Sequence, residues 1–222
     1  MSYGQTFPLL RAQAPDWDAY TRHAFVEGMR DGSLPQAAFL TYLMQDYLFL
    51  IQFSRAWALA VVKADTLEEM RACSRTVHTL LDHEMALHVE TCAAAGIDTQ
   101  AMLATPEAVT NIAYTRYVLD AGLSGDFLDL LVALMPCVLG YGEIGRRLAT
   151  EAAPDTPYRD WIDTYAGAEY QQACIEAGTL LDHAVTRRLG DLPQSSPRWA
   201  ALVERFATAT RLEAAFWNLG QA

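Results

Sequence analysis

Cys137, Tyr141 and Glu143 stand close together in the run Leu134-Met135-Pro136-Cys137-Val138-Leu139-Gly140-Tyr141-Gly142-Glu143. Leu128, Leu131, Val132, Met135, Leu139 and Ile144 recur at helical spacing, which predicts a buried amphipathic helix. Residues four apart share a helix face, so the Cys137 thiol and the Tyr141 phenol should project the same way. Pro136 removes a backbone donor and should kink the helix. Gly140 and Gly142 should leave open space on either side of Tyr141. A thiol, a phenol and two missing side chains in a core helix describe a pocket wall; the competing reading is a cysteine that simply packs in the core.

Two carboxylates share that dual reading. Asp46 has Phe49 and Phe53 at helical spacing, and an unpaired carboxylate on an apolar stripe is expensive to bury. It therefore needs a partner, either a protein cation or a ligand nitrogen. Glu213 has Phe216 and Trp217 on its side of the helix; it is paired, or carries a raised pKa suited to proton transfer, or is an ordinary solvated glutamate. His83 and His88 lie five residues apart in Asp82-His83-Glu84-Met85-Ala86-Leu87-His88, which is the wrong spacing for a zinc-binding helix. Glu84 and His88 align, but two ligands do not make a site, and polar groups satisfied between helices fit better. His23 could ligate a haem iron, though a lone helical histidine is more often structural. With Tyr114, Tyr117, Tyr158, Tyr165 and Tyr170, the set suits a flat, nitrogen-rich heterocycle, rings for stacking and carboxylates for its nitrogens.

Helices must position these groups. A first helix opens at Pro15-Asp16-Trp17-Asp18 and runs to Asp31-Gly32. A second covers about Pro35 to Lys63 and is apolar on more than one face, so it should lie centrally. Thr66 and Glu69 have capping-box spacing at the head of a third, which runs to about Ala95 before Gly96. A fourth is expected from about Pro106 to Ala121, then the cysteine helix. A sixth carries Trp161, Tyr165 and Tyr170, and a last one runs to about Leu219. No alternating strand pattern or internal repeat interrupts them, so residues 1–222 read as a single-domain all-α bundle.

Composition narrows the partners. The formal net charge of -11, with Lys63 the only lysine, argues against a nucleic-acid surface. No segment reads as a membrane span, and the N-terminus lacks the signature of a signal peptide. Cys73, Cys92, Cys137 and Cys174 form no CxxC pair, consistent with reduced thiols in a cytoplasmic protein; core packing is the expected role of all but Cys137.

From about Phe25 to Trp217 the chain resembles the TenA family (thiaminase II, or aminopyrimidine aminohydrolase). The motifs that carry the resemblance are Phe25-Val26-Glu27-Gly28-Met29-Arg30-Asp31-Gly32-Ser33-Leu34-Pro35, Gln45-Asp46-Tyr47-Leu48, Glu84-Met85-Ala86-Leu87-His88, Leu134-Met135-Pro136-Cys137, Tyr141-Gly142-Glu143-Ile144-Gly145, Trp161-Ile162-Asp163-Thr164-Tyr165 and Glu213-Ala214-Ala215-Phe216-Trp217. The resemblance implies a haem-oxygenase-like fold and a homotetramer. It implies hydrolysis at the exocyclic methylene of a 4-amino-2-methylpyrimidine, giving the hydroxymethylpyrimidine of thiamin salvage, with no cofactor and no metal. Carried over by position, Cys137 is the nucleophile, Glu213 the proton donor and Asp46 the acid that grips the ring nitrogen and amino group. Phe49, Tyr114, Tyr141 and Tyr165 become pocket residues, and Glu84 and Glu143 stand behind them. Phe49 replaces a tyrosine of some members, and Gly140 and Gly142 replace bulkier residues, which puts the pocket's width and its substrate at issue. Two rival readings are an oxygenase using His23 or the Glu84/His88 helix for iron, and a non-catalytic pyrimidine binder.

Overall fold

The computed structural model describes residues 2–221, with no side-chain description at 83, 84, 220 and 221. Two long helices run through the middle. One is α4 (Gln36–Lys63), introduced after the short α1 (Thr6–Arg11), α2 (Trp17–Thr21) and α3 (Ala24–Asp31). Behind it come α5 (Leu67–Thr79), a π-helical turn (Leu80–Glu84), α6 (Met85–Ala94), α7 (Thr99–Ala104) and α8 (Val109–Ser124). The second long helix is α9 (Phe127–Glu151), followed by α10 (Arg159–Ala166), α11 (Ala168–Leu189) and α12 (Trp199–Phe216). A 3₁₀ turn over Trp217–Gln221 closes the described chain. Helix accounts for 81% of the structure and no strand occurs among the described residues, as the all-α reading expects.

Helix α4 packs on α5, α6, α8 and the closing 3₁₀ turn, while α9 packs on α8, α10, α11 and α12. The core therefore lies between and around these two helices. Because α9 is walled in, it can be apolar on every side. By length and composition it would pass for a membrane span, contrary to the sequence reading, yet 78% of its most apolar window is buried inside the protein. Buried bundle helices and spanning helices both need apolar surface all round, so composition alone does not separate them.

Several boundaries differ from those expected. The first helix is two, because His23 breaks the chain and caps α3, its Nδ1 accepting from Phe25 N at 3.2 Å. Helix α1 had no sequence signal. The third helix is interrupted by the π turn, and Gly167 divides the expected sixth into α10 and α11. Pro136 lies inside α9, which continues as one helix on both sides of it.

The predicted capping box at α5 is present: Thr66 Oγ1 accepts from Glu69 N at 3.1 Å, and Glu69 Oε2 accepts from Asp65 N and Thr66 N at 2.9 and 3.3 Å. Glu69 also reaches across the bundle, its Oε1 accepting from Arg188 on α11 at 2.8 Å. The Arg188 guanidinium lies 4.7 Å from the Phe127 ring centroid, so one buried pair joins α5, α9 and α11. Thr66→Ala should cost about 1 kcal/mol. Glu69→Ala should cost more, on the order of 3 kcal/mol, because it removes the cap of α5 and leaves the buried Arg188 guanidinium with the exposed Asp65 carboxylate, 2.6 Å away, as its remaining acidic partner. Urea titration of the two variants checks the order, and equal losses would show that the cross-bundle pair carries nothing.

Candidate active site

Asp46 sits in the middle of α4, buried with only 4% of its surface exposed. Its Oδ2 receives two donors. His88 Nε2, on α6, lies 2.6 Å away, and the Tyr42 hydroxyl, one turn back on α4, donates at 3.1 Å. Tyr42 is itself 3.4 Å from the Tyr141 hydroxyl and accepts from Trp161 Nε1 at 3.4 Å. The partner that Asp46 needs within the protein is thus a histidine and a phenol. The Glu84 side chain lies outside the described residues, so the expected Glu84/His88 pairing has no side-chain description.

Glu213, on α12, is 2% exposed, and its Oε1 accepts from the Tyr114 hydroxyl of α8 at 2.7 Å. Cys137 of α9 is hydrogen-bonded to the same carboxyl. Burial pushes the Glu213 carboxyl up to about 8, the charge of Asp46 adds to the rise, and the hydrogen bonds from Tyr114 and Cys137 offset only part of it. A carboxylic acid that holds its proton at neutral pH inside an aromatic chamber is equipped as a general acid. The Tyr114, Tyr141 and Tyr42 phenols are held well above their ordinary value, first by burial and then by Glu213 for Tyr114, by Asp46 for Tyr42, and by the Tyr42 phenol ahead of the two acids for Tyr141. They serve as neutral hydrogen-bonding groups.

The thiol and both acids named from the sequence therefore come together from α4, α9 and α12. The Phe49 ring centroid lies 5.0 Å from that of Tyr114 and 5.4 Å from that of Phe216. Tyr141 lies among Tyr165 at 5.1 Å, Trp217 at 5.4 Å and Trp161 at 5.9 Å. Tyr165 is fully buried behind Tyr141. Glu143 points elsewhere: it accepts from Trp17 Nε1 at 3.0 Å and pairs with Arg11 at 3.3 Å. It is linked to the site through Trp17, whose ring centroid is 5.6 Å from that of Tyr20. His23, considered as an iron ligand, is spent on the cap of α3.

The glycines of α9 require a correction. They do not widen the pocket, because a Cβ on Gly140 would fall 2.2 Å from Tyr20 Cε1, and one on Gly142 2.6 Å from Cys174 Sγ. The Tyr20 hydroxyl fills the first gap and donates to Pro136 O at 3.2 Å. Tyr20 is a site residue that sequence reasoning missed. His88 is, as expected, a polar group satisfied between helices; only its partner Asp46 was not foreseen. Each arrives from a separate helix, and no spacing within either helix signals the meeting; only Tyr42, four residues before Asp46, carried a usable signal.

A cavity of about 580 Å³ reaches Cys137, lined by Phe53, Trp57, Leu80, Leu87 and Tyr170. Its volume falls in the range of small-molecule pockets. Asp46, Glu213 and Tyr114 lie beyond its wall, so the thiol stands between the open space and the acids. A larger groove of about 1260 Å³ between α1, α5 and α11 holds none of these groups.

The raised Glu213 carboxyl has a stability consequence. Between the ordinary value near 4.5 and about 8, the unfolded chain binds fewer protons than the native one, so stability falls as pH rises across that window. The full loss is on the order of 5 kcal/mol. Glu213→Gln should therefore be more stable than the wild type at pH 9, with a smaller gain or none at pH 5. Urea unfolding at the two pH values measures this, and a pH-independent difference would mean that the glutamate ionises freely.

The TENA/THI-4/PQQC family model matches residues 11–221. A solved TenA family transcription regulator from Silicibacter sp. TM1040 is 60% identical, with a TM-score of 0.96 over 98% of this chain and 97% of that one. An aminopyrimidine aminohydrolase of Halalkalibacterium halodurans is 36% identical over 92% of this chain and 90% of the relative. At 16% identity and a TM-score of 0.74, covering 99% of this chain and 93% of that one, a Shewanella denitrificans domain described as having a heme oxygenase-like fold shares the architecture, which is the bundle expected from the sequence. The half-buried thiol and the buried acid pair thus belong to a helical scaffold matched over nearly its whole length, and the chain is a member of the TENA/THI-4/PQQC family.

Proposed function

We propose that this chain is an aminopyrimidine aminohydrolase of the thiaminase II type. Its substrate would be 4-amino-5-aminomethyl-2-methylpyrimidine, with thiamin as a further substrate, and its product the 5-hydroxymethyl pyrimidine of thiamin salvage. The observation that carries the reading is the hydrogen-bonded set Tyr114–Glu213–Cys137, with Glu213 raised to about 8.

A pyrimidine is a poor electrophile until a ring nitrogen is protonated. Asp46 accepts from the amino edge of the ring, and Glu213 gives its proton to a ring nitrogen. The Glu213 carboxylate then takes the proton of the Cys137 thiol as sulfur bonds to the ring carbon beside the methylene-bearing one. The electron pair returns through the ring to expel the amine from the methylene, and Glu213 passes the proton taken from the thiol to the departing nitrogen. Water adds to that exocyclic carbon, and elimination of the thiolate restores the aromatic ring. The net change is amine replaced by hydroxyl, with one water consumed. Tyr114 steers Glu213, while Phe49, Tyr141 and Tyr165 shape the aromatic walls. The reading extends to a cytoplasmic homotetramer, which light scattering would register as four times the 24.6 kDa chain.

Release of the hydroxymethyl product from the aminomethyl pyrimidine, its formyl derivative and thiamin is the direct test. Cys137→Ser should lose nearly all turnover and still bind pyrimidine; wild-type turnover by this variant would remove the covalent route. Because the acid form of Glu213 is required, kcat/KM should fall as pH rises through about 8. Glu213→Gln should lower the rate by ~10²–10⁴-fold and flatten that limb. A limb that survives in Glu213→Gln would assign it to another group.

A further inference from the structure

Both protein donors to Asp46 converge on one oxygen. His88 Nε2 and the Tyr42 hydroxyl meet Oδ2 at 2.6 and 3.1 Å, from α6 and α4. A carboxylate only accepts, so the His88 nitrogen in this contact must carry the hydrogen. Two donors on one oxygen fix the rotation of the carboxyl about its Cβ–Cγ bond. They leave Oδ1 as the oxygen available to a ligand.

We propose that His88 is a positioning residue: it turns Asp46 so that Oδ1 meets the exocyclic amino group of the ring, and so sets the preference for 4-aminopyrimidines. This rests on the pyrimidine reading of the site. His88 is fully buried and adjoins Leu87, which lines the cavity that reaches Cys137. The alternative is a histidine that merely satisfies a buried carboxylate. Such a residue would affect stability and would weaken all ligands alike; a positioning residue acts on the amino group alone.

The probes are 4-amino-5-hydroxymethyl-2-methylpyrimidine and its analogue lacking the 4-amino group, titrated calorimetrically into wild type, His88→Leu, His88→Gln, Asp46→Asn and the Asp46→Asn/His88→Leu double variant. Wild type should prefer the amino ligand by roughly 10–100-fold, the scale of a hydrogen bond to a charged acceptor. His88→Leu should lose most of that preference with little change for the analogue. His88→Gln, whose amide reaches the same oxygen, should keep it. In the Asp46→Asn background, His88→Leu should change nothing further, because the two act as one unit. Equal losses for both ligands, or losses that add in the double variant, would overturn the proposal. If His88→Leu does not fold, His88→Gln decides: a retained preference supports the role and a lost one ends it. Wild-type protein that binds neither pyrimidine would remove the pocket reading itself, and the positioning role with it.

Discussion

Two carboxyl groups buried in one aromatic chamber set the terms for the rest of the structure. Removing a carboxylate from water is costly, and the cost is met either by donors or by keeping the proton. Asp46 takes the first course, with His88 and Tyr42 on one oxygen. Glu213 takes the second, holding its proton to about pH 8, and the nearby charge of Asp46 is part of the reason. The asymmetry yields an acceptor and an acid from two residues of similar chemistry. It depends on their sharing one buried space, which needs α4, α6, α8, α9 and α12 together.

The aromatic walls make that space. Tyr20, Tyr42, Tyr114 and Tyr141 are nearly or wholly buried, and each phenol brings a polar tip into an otherwise apolar region. Trp217 and Phe216, at the end of the described chain, close the chamber against Phe25, Tyr42 and Phe49. Packing of this kind fixes rotamers closely, so the acids and the thiol are held by their neighbours rather than by their own helices. The glycines of α9 belong to the same design. They let Tyr20 and Cys174 approach the helix backbone, making the wall dense at the places where the missing side chains suggested a gap.

The thiol stands at the boundary. Cys137 is half-buried, facing the cavity on one side and bonded to Glu213 on the other. Cys73, Cys92 and Cys174 are fully buried, and burial pushes the Cys73 thiol up to about 12. What sets Cys137 apart from the other three is its surroundings, since all four are single cysteines on helices.

Much of this could be read without coordinates. Helical periodicity gave the class of fold and placed Asp46, Cys137 and Glu213 on buried faces, because a carboxylate spaced three and four residues from aromatics must share their side of the helix. The capping box at Thr66 and Glu69 was equally plain, since it is a matter of four consecutive residues. Breaks that depend on packing were not visible: the π turn after Thr79, the division at Gly167 and the helix at Thr6–Arg11 carry no strong local signal. Nor were the partners across helices. His88 is forty-two residues from Asp46, and Tyr20 is a hundred and sixteen from the Pro136 carbonyl that it meets. Periodicity reports which way a side chain faces on its own helix. What it meets there is settled by how the helices cross, and that is why the acids were named from the sequence and their partners only from the fold.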